Sequence, residues 1–208
     1  MINPIWTQDD PSCVALRAEL VGSCRWWERL AGVYSHLMSG DGEVIVREAL
    51  DSDAGGVART HVDSWRETYS GVLDERFFSM DAFRRRLEFW TCYLSTEPRP
   101  GRMAVAVRDG DVIGFANAGD AVGPDAEHGV GPARPLHLFS IYLLLSAHGT
   151  GAGQALLDSV VSDEPAQLWV LRGNDRAISF YQRNGFAFDG VEYIDPARVN
   201  LVELRMVR

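Results

Sequence analysis

Residues 148–153, HGTGAG, carry three glycines in six positions and stand between an apolar stretch and a helix-forming one. Glycine lets successive backbone N–H groups point into one concavity, and the start of a helix adds roughly half a positive charge. A turn of this kind suits an anion, and a pyrophosphate in particular. Taken alone, however, the pattern is also typical of an ordinary tight turn.

Two phosphate-binding alternatives fit this turn less well. A dinucleotide-binding loop needs G-x-G-x-x-G, whereas Gly149, Gly151 and Gly153 are spaced G-x-G-x-G. The next strand also ends at Arg172 and not at the acidic residue that would bind a ribose, so a dinucleotide-binding protein is a disfavoured alternative. A P-loop is excluded because it needs a lysine, and all 20 basic residues of this chain are arginine.

A second segment, residues 174–186, is predicted to begin with a helix over residues 174–184 that Gly185 closes. In an unfamiliar sequence, a tyrosine such as Tyr181 is more often a core residue than a catalytic one. Asn174 stands where it could bind a ligand, cap the following helix, or do both. His148 could be a phosphate ligand or a solvated loop residue. Because an imidazole gains or loses its charge near neutral pH, a phosphate contact made by His148 would depend on pH.

Together the two segments resemble the GCN5-related N-acetyltransferase (GNAT) superfamily. Its cofactor loop has the pattern Q/R-x-x-G-x-G/A, which residues 148–153 match except that His148 stands at the first position. Its next helix has the pattern N-x-x-A-x-x-F-Y-x-x-x-G-F, which residues 174–186 match in full. The spacing of His61, Trp65 and Tyr69 is also similar to the first helix of many bacterial members. The resemblance covers residues 43–208.

The resemblance implies that acetyl-CoA is the acyl donor. It places the pyrophosphate on the glycine-rich turn and the pantetheine arm between residues 141–143 and 167–171, which a bulge would splay apart. A backbone N–H there would polarise the thioester carbonyl, Asn174 would bind the arm or order a water, and Tyr181 would protonate the leaving thiolate. The residues expected to contact acetyl-CoA are Ile141, Tyr142, Leu143, His148, Gly149, Thr150, Gly151, Ala152, Gly153, Gln154, Asn174, Ala177, Phe180 and Tyr181.

The proton of the acceptor amine needs a second group. Many family members place a glutamate at the start of the strand that leads to the cofactor loop, and His137, eleven residues before His148, occupies that position. Its ordinary pKa near 6.5 suits a general base at neutral pH. The alternatives are a structural histidine with a water chain as base, or a base from the adjoining loop, which offers Asp125, Glu127 and His128.

Composition limits the partners and the compartment. The net charge of −9 leaves no broad basic face for nucleic acid. The three cysteines, Cys13, Cys24 and Cys92, form no CxxC pair, which predicts a reduced, cytoplasmic protein without a metal site. The first residues lack a signal-peptide pattern, and no apolar run approaches membrane-spanning length, so no membrane association is expected.

The order of predicted elements is β-α-α-β-β-β-α-β-α-β-β over residues 41–208. This order predicts an α/β acetyltransferase domain with a mixed, mostly antiparallel sheet of about seven strands and helices on both faces. Residues 1–40 are predicted to be a helical extension whose aromatic and leucine face, which includes Trp27 and Tyr34, packs on the domain or across a homodimer.

The expected activity is therefore N-acetylation of a primary amine on a small molecule or peptide. Direct attack within a ternary complex is expected because no cysteine is suitably placed for a covalent intermediate. A non-catalytic acyl-CoA-binding sensor or partner module is the alternative. The acceptor site would be built from residues 51–95, the loop 118–135 and the last two strands, none of which carries a decisive signature.

Overall fold

The computed structural model describes residues 42–121, 130–194 and 201–208. Four helices are present in this part of the chain, and they are α1 (Ala54–Tyr69), α2 (Met80–Ser95), α3 (Ala152–Val160) and α4 (Asp175–Arg183). The seven strands are β1 (Ile45–Glu48), β2 (Arg102–Arg108), β3 (Asp111–Asp120), β4 (Leu136–Leu143), β5 (Ala166–Leu171), β6 (Ala187–Ile194) and β7 (Val202–Val207).

The strands form one sheet in the order β1-β2-β3-β4-β5-β7-β6. Every pairing is antiparallel except that of β4 with β5, which run parallel. The link between these two strands contains α3, as a parallel connection requires. The predicted mixed, mostly antiparallel seven-stranded sheet is thereby confirmed.

Helices cover both faces of the sheet, as neighbouring residues of β3 show. The ring of Phe115 contacts His61 of α1 and Trp90 of α2. Gly114, which points to the opposite face, lies where a side chain would meet Leu143 and Leu156, so α3 packs there. The absence of a side chain at Gly114 therefore permits the close approach of α3.

Local sequence explains where several elements begin and turn. Asp109 and Gly110 both have positive φ (54° and 91°), which gives the tight β2–β3 hairpin that their types predict. Ser79 caps α2 by accepting a hydrogen bond from the N–H of Ala82 at 3.2 Å. At the end of α4, Gly185 adopts φ 81°, the left-handed conformation that closes a helix.

The sheet and helix predictions differ from the structure mainly in their bounds. The strand predicted over residues 186–189 is longer, since β6 continues to Ile194 past a register shift that contains Gly190 at φ 88°. The predicted helical extension, residues 1–40, lies outside the described residues. Its role and the domain boundary near residue 40 stay predictions.

Candidate active site

The strands β4 and β5 pair over only two residues and then separate. The pairs are Leu136 with Ala166 and His137 with Gln167, and no further pair joins the two strands. A bulge lies at this point, because Asn117 and Ala118 of β3 face Ser140 and Leu138 of β4, which leaves Phe139 as the extra residue. The result is a V-shaped opening between residues 139–143 and 168–171, where backbone groups can accept a ligand.

The glycine-rich turn follows directly at the open end of this cleft. A short 3-10 helix, Leu145–Ala147, leads into the turn, and α3 begins after Gly151. Gly149 and Gly151 have φ of 80° and 87°, a conformation that residues with a Cβ adopt only under strain. The first N–H groups of α3 have no acceptor within the helix and point toward this turn, as an anion site requires.

The start of α4 is tied to the end of α1 across the cleft. Asn174 caps α4 by accepting a hydrogen bond from the N–H of Ala177 at 3.2 Å. Its side-chain amide donates to the hydroxyl of Tyr69 at 3.0 Å. The N–H of Asn174 in turn donates to the carbonyl of Leu171, the last residue of β5. Asn174 is thus both a helix cap and a link between two walls of the opening.

Three phenols converge near this link. Tyr181 is buried between Phe180 and Phe186, and burial raises its pKa well above 10, with further contributions from nearby Tyr142 and Tyr69. Burial raises the pKa of Tyr69 to about 12 and places that of Tyr142 well above its ordinary value. All three side chains therefore keep their protons at neutral pH and can act as hydrogen-bond donors.

Cationic and imidazole groups adjoin the turn. His148 is partly exposed, and burial followed by the positive charge of Arg176 lowers its pKa below 6.5. A neutral imidazole at this position supplies no charge to a phosphate near pH 7. Arg176 is a nearby cation, exposed in the first turn of α4. The sequence did not indicate it as a site residue, because the helix motif accepts any residue type at this position.

The other residues expected to contact the donor line the same region. Leu143 and the ring of Phe180 lie where a side chain at Gly153 would touch them, at 3.8 and 3.7 Å, so β4, α3 and α4 meet there. Ile141, on β4, is half-buried along the open edge. The remaining predicted positions occupy the turn or the first turns of the two helices, and they are Thr150, Ala152, Gln154 and Ala177.

His137 lies at the closed end of the cleft and is fully buried. Its ring stacks on Phe139 with centroids 4.8 Å apart, and its Nδ1 is 3.3 Å from the side-chain nitrogen of Gln167. The oxygen of Gln167 accepts hydrogen bonds from the N–H groups of Ala133 and Arg134. The base role predicted for His137 stays a prediction, in an environment that also serves to join β4, β5 and the preceding loop.

One acidic residue near the cleft was not anticipated from the sequence. Glu203 of β7 is 5% exposed and faces Leu171 of β5 in the strand register. Its negative charge contributes, after burial, to the raised pKa values of Tyr69 and Tyr142. The sequence of β7 could not have indicated that Glu203 is buried. Glu203 stands between the apolar residues Val202 and Leu204, a pattern in which the polar residue is ordinarily expected to face solvent, and the strand has no catalytic motif.

Among residues 42–121, 130–194 and 201–208, the structure shows no cluster of three His, Cys, Asp or Glu side chains arranged to hold a metal ion. In the same part of the chain, none of the helices has the length and apolar character needed to cross a membrane.

Comparison with known proteins agrees with this geometry. A family described as "Acetyltransferase (GNAT) domain" matches residues 99–187, which contain the cleft, the turn and α4. The protein named "Uncharacterized N-acetyltransferase YuaI" of Bacillus subtilis is 31% identical over 118 residues, which are 55% of this chain and 60% of that protein. The protein named "Probable N-acetyltransferase Rv2775" of Mycobacterium tuberculosis is 28% identical over 149 residues, 70% of this chain and 80% of that protein.

A solved structure shares the fold. The PaiA N-acetyltransferase of Thermoplasma acidophilum, in complex with coenzyme A, superimposes with a TM-score of 0.58 at 18% identity, covering 80% of this chain and 98% of the other. At this identity the likeness concerns the fold. The chain spans about three fifths of the length of the Bacillus relative.

Proposed function

Because the chain belongs to the GNAT superfamily of N-acetyltransferases, we propose that it transfers the acetyl group of acetyl-CoA to a primary amine of a small molecule or peptide. The observation that carries this proposal is the separation of β4 from β5 after two paired residues, with the glycine-rich turn at the open end. An elongated ligand with an anionic end and amide groups along its length is complementary to this cleft.

The donor would be held mainly by backbone groups. The N–H groups of residues 149–154 would bind the pyrophosphate, since the positive φ of Gly149 and Gly151 turns them to one side. Arg176 would add a positive charge that His148 lacks at neutral pH. The free edge of β4 at residues 141–143 would pair with the pantetheine amides, and an N–H of this edge would polarise the thioester carbonyl.

Tyr181 would assist departure of the thiolate. A phenol with its ordinary pKa near 10 is already protonated at neutral pH, so Tyr181 can donate its proton as the carbon–sulfur bond breaks. Asn174, held by Ala177 and Tyr69, would orient the pantetheine arm or a water. Direct attack by the amine in a ternary complex would derive much of its acceleration from the proximity of the two reactants, up to roughly 7–11 kcal/mol.

The test is release of free CoA from acetyl-CoA with a panel of primary amines, measured with a thiol reagent. Thermal unfolding with acetyl-CoA, CoA or NAD should be run beside it. Stabilisation by acetyl-CoA together with amine-dependent CoA release is the expected result. Stabilisation without turnover across the panel would favour the sensor module, and stabilisation by NAD alone would overturn the assignment of the donor.

A further inference from the structure

Residues 84–86 of α2 are three consecutive arginines that the structure places in different environments. Arg84 is exposed and forms an ion pair within its own helix at 3.1 Å. Arg85 is also exposed. Arg86 is half-buried and turns toward α1, where its guanidinium carbon lies 4.7 Å from the ring centroid of Trp65. The run therefore holds two solvent-facing cations and one that is packed between helices.

The protein uses only one end of the Arg86 guanidinium. Its Nη1 donates to the carbonyl of Phe77 at 3.2 Å and, more weakly, to that of Ala82 at 3.5 Å. A guanidinium has five N–H donors, and Nη1 carries two of them. Within residues 42–121, 130–194 and 201–208, no hydrogen bond engages Nε or Nη2 of Arg86. These two nitrogens form one side of the guanidinium fork, the side that can bind both oxygens of a carboxylate.

The charge of Arg86 is not balanced by a carboxylate in the described part of the chain. Burial lowers its pKa to about 10, and the ionisable groups that contribute further are Tyr142 and Arg85. Two other enclosed arginines, Arg99 and Arg205, form ion pairs with carboxylates at 3.4 and 2.7 Å. An enclosed cation without an anion is unfavourable, so the surroundings of Arg86 favour an anionic ligand.

Trp65 connects this guanidinium to the cleft. Its ring centroid is 6.1 Å from that of Tyr142, which belongs to the open edge of β4, and 5.9 Å from that of Tyr69. The hydroxyl of Tyr69 accepts the hydrogen bond of Asn174, the cap of α4. Arg86 therefore lies on the α1 side of the cleft, one ring beyond Tyr69 and Tyr142.

A second donor without an acceptor lies in the same ring cluster. Burial lowers the pKa of His61 well below 6.5, so its imidazole is neutral at pH 7. Trp90 donates its Nε1–H to Nδ1 of His61 at 3.2 Å, which places the imidazole proton on Nε2. This buried Nε2–H has no acceptor among the residues that the structure describes. The His61 ring lies 5.3 Å from that of Trp65, so the cluster favours a ligand that accepts hydrogen bonds.

We propose that Arg86 binds a carboxylate of the acceptor, so that the acceptor is a short-chain amino carboxylate. This inference rests on the proposed acetyl transfer and names the acceptor class of the same site. The carboxylate would accept from Nε and Nη2 of Arg86 beside Trp65, and the amine end would extend past Tyr142 toward the thioester. Because the chain carries a net charge of −9, an anionic acceptor needs a local cation of this kind.

The experiment measures kcat/KM of the full chain with acetyl-CoA and three amino carboxylates of increasing length. These are glycine, β-alanine and γ-aminobutyrate, each assayed beside its primary carboxamide. The carboxamide keeps the amine and the chain length but removes the negative charge. The readout is the ratio of kcat/KM for the carboxylate to that for its carboxamide. Because each ratio is compared between variants, the different reactivity of the two amines cancels.

Three variants separate the fork, the charge and the location. Arg86→Gln should lower kcat/KM for the preferred carboxylate by roughly 10- to 100-fold, mainly through KM, and leave the matching carboxamide within about threefold. The matched control is Arg85→Gln, which removes the neighbouring exposed cation and should keep the wild-type ratio. Arg86→Lys retains the charge without the fork, so its ratio should lie between those of wild type and Arg86→Gln.

Arg86 also holds the carbonyl of Phe77, so thermal unfolding and acetyl-CoA affinity are measured for each variant. A purely structural role would lower kcat/KM equally for carboxylate and carboxamide, and this result would overturn the proposal. An equal fall of the ratio in Arg85→Gln would also overturn it. If Arg86→Gln does not fold, Arg86→Lys decides, and an unchanged ratio in that variant would refute the role of Arg86.

Failure of the inference differs from failure of the proposed activity. If wild type acetylates other primary amines but none of the amino carboxylates, acetyl transfer stands and the acceptor class is wrong. No turnover by wild type with any amine would refute acetyl transfer itself.

Discussion

Replacing Gly151 with alanine isolates the contribution of the left-handed turn. Gly151 has φ 87° and ψ −12°, and a Cβ added there would meet no atom within 4 Å. The substitution therefore introduces backbone strain without a steric clash in the free protein, at a cost of about 1–2 kcal/mol. If the turn keeps its shape, this cost lowers the free energy of unfolding. If the turn relaxes, acetyl-CoA must restore it, and the affinity falls by roughly 5- to 30-fold.

The loss in the free energy of unfolding and the loss in the binding free energy of acetyl-CoA should together equal the strain energy of about 1–2 kcal/mol. Thermal unfolding measures the first, where about 1 kcal/mol corresponds to roughly 2–4 °C in a chain of this size, and calorimetric titration with acetyl-CoA measures the second. The matched control is Gly153→Ala, because Gly153 lacks a positive φ and its Cβ would make only an ordinary contact with Phe180 at 3.7 Å. This control should change neither quantity greatly. A Gly151→Ala variant with wild-type stability and wild-type affinity would refute the assignment of the turn.

Three further outcomes are expected. Tyr181→Phe should lower kcat by roughly 100-fold with unchanged acetyl-CoA affinity. A wild-type rate of CoA release in this variant would show that Tyr181 does not donate the proton to the leaving thiolate. Burial, with a contribution from Arg86, lowers the pKa of His61 well below 6.5, so stability present above about pH 6.5 should be lost as the pH falls toward the folded-state pKa, by up to about 1.4 kcal/mol per unit. Denaturant titrations of wild type and His61→Gln should differ in this slope, and equal slopes would contradict the attribution. His137→Asn tests the base role predicted for His137: the acidic limb of kcat/KM should move or vanish and the rate near pH 7 should fall by about 10²-fold, whereas an unchanged limb with a similar rate would make His137 structural.

Local chemistry explains why much of the fold and the donor site could be predicted. The tight hairpin at Asp109 and Gly110 depends on two residues that tolerate positive φ, and the anion-binding turn depends on glycines at Gly149 and Gly151. Asn174 was expected as a cap because its side chain acts on a backbone N–H three residues away. Each of these features is set by residues close together in the chain, so composition and spacing carry the information.

Features that join distant segments required the tertiary structure. The hydrogen bond from Asn174 to Tyr69 links residues more than one hundred positions apart, and the convergence of Tyr69, Tyr142 and Tyr181 depends on how α1 and α4 pack on the sheet. Glu203 belongs to a short alternating strand, where a carboxylate is ordinarily a solvent-facing residue. Only the placement of β7 between β5 and β6 buries it beside the cleft, because the register of two antiparallel pairs, and not the local sequence, decides which face it occupies.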